Sequence, residues 1–340
     1  MTSLVTGANG FLGNHVARVL LERGECVRVL VRRQSDCRRL MGLTVEYAYG
    51  DLRDPASLDA ALRGVKRVFH VAADYRLWCL DPQEIYESNV TGTRHLLDAA
   101  GQACVETFVY TSTVATIAVA RGGNWPNEDN RTSLAEMIGH YKRSKFLAEQ
   151  EALSAASKGL PVIVVNPTTP VGPGDWKPTP TGRIILDFLN GKMPAYVDTG
   201  LNVVAVEDAA VGHLLAAERG KVGERYLLGG RNMLLLEILA ALSKVSGRPC
   251  PSLRIPHTVA LAAGYVDNLA ARILRREPRI PLEGVRMARH KMFVDCSKAQ
   301  RDLGFQPGPA EAALERASQW YMDNGYVSTR SVGRAKQRAA

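Results

Sequence analysis

The stretch VTGANGFLG, residues 5–13, constrains the fold more than any other part of the chain. A short apolar run, SLVTG (3–7), leads directly into a helical pattern, FLGNHVARVLLERG (11–24), with Gly7, Gly10 and Gly13 on the turn between them. The first glycine allows a tight turn, the second lets a pyrophosphate approach the backbone, and the third lets the helix pack on the strand. The helix start also offers unpaired N–H groups and a partial positive charge to phosphates. A strand–turn–helix of this kind, opening an alternating pattern, predicts a dinucleotide site.

The alternation continues. CVRVLV (26–31), TVEYAYG (44–50), RVFHVAA (67–73), TFVYTS (107–112) and PVIVVNP (161–167) read as strands. DPASLDAALRG (54–64), PQEIYESNVTGTRHLLDAAGQA (82–103) and LAEMIGHYKRSKFLAEQEALSAASKG (134–159) read as helices. Such a succession implies an α/β fold: a doubly wound parallel sheet of Rossmann type with helices on both faces. After Pro167 the texture changes, and TTPVGPGDWKPTPTG (168–182) is rich enough in proline and glycine to read as a loop. A helix at 183–190, a strand at 201–206, a helix at 208–219 and a strand at 224–228 follow, then mostly helix to about residue 325. We therefore expect a dinucleotide-binding domain from 1–167 and 201–235, and a smaller, discontinuous substrate lobe from 168–200 and 236–325. The substrate cleft would lie between them, with a basic, disordered tail at 326–340. The apolar helix and basic cluster at 257–279 are expected to pack on the lobe core, a lipid-facing mouth being the sharper alternative.

Composition removes other classes. No stretch reaches the roughly 20 apolar residues of a membrane span. The six cysteines show no CxxC or metal spacing, which favours a reducing cytosol and no metal site. The first strand begins directly after Met1 and Thr2, so no leader and a cytoplasmic location are expected. A net charge of +9 raises the question of nucleic acid, but four of the basic groups sit in the last thirteen residues. The rest are scattered without interleaved aromatics, so no nucleic-acid partner is expected and membrane contact is only a peripheral alternative.

The end of the second strand bears on the cofactor. A site for NAD commonly places an acid there for the ribose 2′-hydroxyl. This chain has Val31, Arg32 and Arg33, with Asp36 further on; two guanidiniums suit a 2′-phosphate, so NADP(H) is favoured and NAD(H) is the alternative. Asp51, in GDLRD after the third strand, can accept from an adenine amino group. In GHYKRSKFLAEQ (139–150), Tyr141 and Lys145 stand one helical turn apart on the same face, where their polar heads can converge.

Seven motifs in order, TGANGFLG, GDLRD, HVAA (70–73), NVTGT (89–93), YTST (110–113), YKRSK (141–145) and VNPTTPVGPG (165–174), resemble those of the extended short-chain dehydrogenase/reductases, the NAD-dependent epimerase/dehydratase family. The match is close over about residues 1–235 and looser beyond. Within the family the chain is similar to the dihydroflavonol-reductase and 3β-hydroxysteroid-dehydrogenase side, and most similar to bacterial proteins labelled hopanoid-associated sugar epimerases. The resemblance implies that Tyr141 is the general acid/base and that Lys145 both lowers its pKa and binds the nicotinamide ribose. Thr113 would donate to the reacting oxygen, Ser112 being the local alternative, and Asn89 would support the lysine, with a plain capping role as its alternative. The cofactor would be lined by Gly7, Asn9, Gly10, Phe11, Leu12, Gly13, Arg32, Asp51 and Leu52, then by Val71, Ala72, Ala73, Thr111, Tyr141, Lys145, Pro167 and Thr168. Substrate contacts are expected from Asp74, Tyr75, Arg76 and Trp78 after the fourth strand, and from Arg183 and Tyr196 in the lobe. A homodimer through the helices at 82–103 and 134–159 is expected on the resemblance alone.

The implied activity is hydride transfer between a nicotinamide and a secondary alcohol/ketone pair on a small flavonol-, sterol- or terpenoid-like molecule. The alternatives are a nucleotide-sugar epimerase with tightly held NAD and a catalytically silent dinucleotide-binding regulator.

Overall fold

The computed structural model describes residues 1–117, 124–130 and 132–328; most of the expected tail lies outside the described residues. The first half runs β1 (Thr2–Thr6), α1 (Phe11–Glu22), β2 (Cys26–Val31), β3 (Val45–Tyr49), α2 (Pro55–Leu62) and β4 (Arg67–His70). It continues as α3 (Gln83–Tyr86), a π-helical turn (Glu87–Thr91), α4 (Gly92–Gln102), β5 (Thr107–Thr111), α5 (Gly139–Ser157) and β6 (Val162–Pro167). With β10 (Arg225–Leu228) these strands form a seven-stranded parallel sheet in the order β3-β2-β1-β4-β5-β6-β10. The order reverses between β1 and β4, which opens a crevice at their carboxyl ends.

Two apolar layers hold the sheet. Val16, Ala17 and Leu20 of α1 pack on one face with Ala209, Ala210 and Leu214 of α7 (Val206–Arg219). On the other face lie Leu58 and Leu62 of α2, Leu96 and Ala100 of α4, and Ala148 and Ala152 of α5. Cover on both faces explains why β6 is buried at every position and reads as a continuous apolar run rather than an alternation.

The segment at 168–182 is not simply a loop. It contains β7 (Thr169–Val171), and α6 (Pro180–Leu189) begins inside it, with Pro180 in the first turn and the Thr179 hydroxyl accepting from Gly182 N at the cap. Proline is tolerated at the first helical position because its missing N–H has no partner there anyway. After β8 (Ala195–Tyr196), β9 (Gly200–Ala205) pairs with β7 and β13 (Lys291–Met292) along one edge and with β11 (Arg231–Leu234) along the other. The stretch 201–235 thus divides: β9 and β11 enter this second sheet, whereas α7 and β10 return to the main one. The lobe core joins Ile185 and Phe188 of α6 to Leu239 of α8 (Leu235–Ser246) and to Leu314 and Tyr321 of α12 (Ala310–Asp323).

The remaining elements are β12 (Leu253–Arg254), α9 (His257–Ile273), α10 (Leu282–Met287) and α11 (Ser297–Leu303). Here one expectation fails. In α9 only Gly264 and Ala271 are buried, so this helix does not pack its apolar residues on the lobe core. Two of its polar side chains face the protein instead: Asn268 Nδ2 donates to Ile280 O (2.9 Å) and Asp267 Oδ2 accepts from Ile280 N (2.8 Å).

Candidate active site

The glycine turn is forced by contact. Gly7 has φ +72°, and a Cβ there would lie 2.8 Å from the Ala72 backbone; a Cβ on Gly13 would lie 2.2 Å from Gly7 O. Only glycine permits either approach. Gly10 caps α1 with no side-chain hydrogen bond, and a Cβ on it would meet nothing within 4 Å but Gly7 O (3.1 Å). The first turn of α1, with Phe11, Leu12 and Gly13, therefore directs its N–H groups into open space, a cradle that fits a pyrophosphate. Asn9 contributes its carbonyl, which accepts from Arg39 Nη1 (2.9 Å). Arg39, absent from the sequence-derived set, thus stands beside the glycine turn.

Around the adenosine end, Arg32 is exposed at the end of β2 and lies close enough to act on the Asp51 charge. Asp51 is bound by Arg53 (2.7 Å), which holds its carboxyl below the usual range. Asp36, the acid after the arginines, is engaged by Arg38 (2.6 Å). Leu52 sits against Gly92, whose Cβ would come within 2.8 Å of it. Val71 packs against the α1/α7 layer, while Ala72 N donates to Thr6 Oγ1 (3.1 Å) and Ala73 beside it is half-buried.

The reacting end is built on β5 and α5. Thr113 Oγ1 accepts from Ala115 N (3.2 Å), and its side chain lies close enough to the Tyr141 phenol to act on its pKa. Ser112 Oγ instead donates to buried Glu149, which also accepts from Thr116 (2.8 Å) and Asn166 (2.8 Å) and pairs with Arg225 (3.3 Å). Thr113, rather than Ser112, is therefore the hydroxyl turned toward Tyr141. Burial raises the Tyr141 pKa above its ordinary value of 10.0, against a smaller lowering by the Thr113 side chain. The Lys145 ammonium is hydrogen-bonded to Tyr110 and Thr111 rather than to this phenol.

Lys145 is 2% exposed and donates to Tyr110 Oη (2.7 Å) and Thr111 O (2.8 Å). Desolvation lowers its pKa to about 7, offset in part by Glu149. An ammonium has three donors, so one remains for a ligand. The Thr111 hydroxyl faces the other way, to His213 Nε2 (2.9 Å). His213 Nδ1 lies 2.7 Å from Ala209 O, which can only accept; the Nδ1–H tautomer follows, with Thr111 donating to Nε2.

A row of buried polar groups that the sequence reading missed lies between this lysine and the glycine turn. Thr93 donates to Asn89 O (2.6 Å), so His70 Nε2 (2.9 Å away) must be the donor to Thr93 Oγ1. His70 Nδ1 then accepts from Thr6 (2.8 Å). Tyr110, fully buried, accepts from Lys145, and its ring lies 5.7 Å from that of His70. Burial drives His70 down to about 3, so this row is neutral apart from the lysine at its end. The signal for it was present in HVAA, NVTGT and YTST, but no spacing rule shows that three such residues meet.

Asn89 sits in the π-helical turn. Its Oδ1 accepts from Asp74 N (2.7 Å), while Nδ2 donates to Asp74 O (2.8 Å) and Ser144 Oγ (2.9 Å); Ser144 in turn donates to Tyr141 O (2.9 Å). It ties the loop after β4 to α5 and does not itself touch Lys145. On that loop Asp74 and Arg76 are bound to each other (2.6 Å), Arg76 also to Glu84 (2.8 Å). Tyr75 lies within the fields of Asp175, Arg39 and Arg183, and Trp78 is half-buried nearby in sequence. Arg183 pairs with Glu277 (3.5 Å). Tyr196 lies away from these groups, packed against the lobe core and paired with Arg254 of β12. At the end of β6, Pro167 pairs with Leu228, and Thr168 N donates to Leu228 O (3.2 Å).

The helix α5 starts later than expected. Leu134–Glu136 is a separate 3₁₀ turn, and Gly139 has φ +81°. A Cβ at Gly139 would strike the Glu283 carboxyl, which accepts from His140 N (3.1 Å). Glu283 of α10 therefore caps the helix that carries Tyr141 and Lys145, a favourable place for a negative charge.

Comparison with known proteins agrees with this geometry. The model of the "NAD dependent epimerase/dehydratase family" matches residues 3–229. The chain belongs to that family. It is an NAD(P)-dependent oxidoreductase of the extended short-chain dehydrogenase/reductase type. It is 45% identical to a "Putative dihydroflavonol 4-reductase" of Synechocystis, over 96% of each chain. It is 40% identical to "Sterol demethylase protein B" of Methylococcus capsulatus, over 96% of this chain and all of that one. A solved nucleoside-diphosphate-sugar epimerase from Pseudomonas aeruginosa superposes with TM-score 0.81 at 30% identity, covering 96% of this chain and 99% of that one.

Proposed function

We propose that this protein is an NADP(H)-dependent reductase/dehydrogenase that interconverts a ketone and a secondary alcohol on an apolar flavonol-, sterol- or terpenoid-like substrate. The observation that carries the reading is the Thr113–Tyr141 pair at the cleft, with buried Lys145 one turn further along the same helix. A phenol held above its ordinary pKa is protonated at neutral pH, ready to give its proton to a carbonyl oxygen as an alcohol forms. Thr113 would hold that oxygen beside Tyr141. The bound nicotinamide supplies the hydride, or accepts it in the reverse direction. The free donor of Lys145 would bind the ribose hydroxyls and so fix the ring against the substrate.

Arg32 and Arg39 suit the additional phosphate of NADP(H). The nearby acids are already neutralised, Asp36 by Arg38 and Asp51 by Arg53. The reductase and sterol names of the two curated relatives support the substrate class. The sugar-epimerase relative supports a second reading, an epimerase that retains NAD.

Titrating NADP⁺ and NAD⁺ separately into nucleotide-free protein by calorimetry tests the choice. NADP⁺ is expected to bind more tightly, and Arg32→Ala to weaken it about tenfold or more, the scale of a lost hydrogen bond to a charged group. Preference for NAD⁺, or protein that cannot be freed of it, would favour the epimerase.

A further inference from the structure

Helix α9 turns its apolar side outward. Val259, Ala262, Val266, Leu269 and Ile273 follow one another at alternating steps of three and four, so they form a single stripe along the 17-residue helix. Val266 is 71%, Leu269 63% and Ile273 72% exposed. At about 1.5 Å per residue the stripe is roughly 21 Å long from Val259 to Ile273, and Leu274 and Ile280 extend it beyond the helix end, 65% and 40% exposed. An uninterrupted apolar face of that size marks an interaction surface rather than ordinary scatter.

The unpaired charges around it have one sign. Arg272, Arg275 and Arg279 are exposed at the C-terminal end of α9 and form no salt bridge among the described residues. The acids nearby are taken: Asp267 by Arg276 (2.6 Å) and Glu277 by Arg183 (3.5 Å). A stripe of aliphatic side chains bordered by free guanidiniums matches the boundary between acyl chains and phosphate headgroups. Among the described residues, no exposed acidic row accompanies the stripe to complement the arginines of a second copy.

The surface also lies at the mouth of the cleft. His257 Nε2 is 2.7 Å from Val285 O, joining α9 to α10. From α10, Glu283 caps α5 directly before Tyr141, and Gly284 lies against Leu77 of the loop after β4.

We propose that α9 docks this protein on an anionic lipid surface, with its apolar stripe at the acyl boundary and Arg272, Arg275 and Arg279 on the headgroup phosphates. The cleft then opens beside the bilayer, within reach of an apolar molecule dissolved there. The docking stands apart from the choice of cofactor and reaction.

Co-sedimentation of the full chain with vesicles tests it, using phosphatidylcholine alone and phosphatidylcholine mixed with phosphatidylglycerol. Binding is expected to the mixed vesicles only, and it weakens as salt is raised. Arg272→Ala and Arg279→Ala should each weaken it about fivefold, and the double change Val266→Asp with Leu269→Asp should abolish it. Circular dichroism and nucleotide affinity of the variants should match those of the parent, since every changed side chain is exposed. Absence of binding to either vesicle overturns the proposal, as does binding that survives the aspartates. A dimer in sedimentation velocity that the same aspartates dissociate also overturns it, because a second copy would then cover the stripe.

Discussion

The two ends of the cleft follow opposite rules. On the sheet side, polar groups are buried and paired: Thr6 with His70, His70 with Thr93, and Lys145 with Tyr110, whose ring packs on His70 behind the glycine turn. On the α9 side, apolar groups stand in the open while Asp267 and Asn268 face inward. An unpaired buried donor costs far more than an exposed leucine. The first region should therefore tolerate little change, and the second should tolerate much without loss of fold.

The largest expected effect tests the reacting pair. Tyr141→Phe should lower kcat about 10²–10⁴-fold, the usual contribution of a positioned acid or base, with nucleotide affinity little changed when measured by calorimetry. Retained turnover would remove Tyr141 from the chemistry.

Tyr110→Phe comes next and probes the buried row directly. Lys145 would lose one acceptor while it stays buried, at a cost of about 1–3 kcal/mol in urea unfolding. Without that acceptor the lysine ammonium is less favoured, so the fall in nucleotide affinity as Lys145 deprotonates, centred near pH 7 in the parent, should move to lower pH. A purely structural tyrosine would destabilise the fold without moving the midpoint.

Acid sensitivity follows from the same burial. His70 and His213 are pushed down to about 3 and about 4 from 6.5. Below pH 6.5 the unfolded chain therefore takes up protons that the folded chain refuses, and stability is lost as pH falls toward 4. Urea midpoints at several pH values should show this slope, and His213→Asn should reduce it. Lys145 acts in the same direction higher up: between about 7 and 10.5 the unfolded chain again holds more protons, so stability rises with pH.

The smallest effect belongs to the other region. Leu269→Asp should change urea stability by no more than about 0.5 kcal/mol; a larger loss would mean that the stripe is packed in solution and would erase the contrast.

How much of this could be read beforehand differs by region. Gly7, Gly10 and Gly13, the β-α alternation up to Pro167, and the one-turn spacing of Tyr141 and Lys145 were all legible, because each rests on local geometry between neighbours in the chain. The start of α6 and the strand β7 inside 168–182 were not, since proline and glycine mark turns and helix starts alike. The direction of α9 is not legible for a related reason: periodicity shows that an apolar stripe exists, but not which way it faces.

Sequence alone determined the sheet that opens the chain, its glycine turn and the residues offered to the cleft, because steric limits and helical and strand periods act over a few residues. Only the tertiary structure decided which hydroxyl, Thr113 or Ser112, turns to Tyr141, where Lys145 places its protons, and that Glu283 caps α5 from 144 positions beyond Gly139. Those outcomes depend on burial and on partners brought together by the fold, where the cost of leaving a donor unpaired selects one arrangement among several that the chain permits.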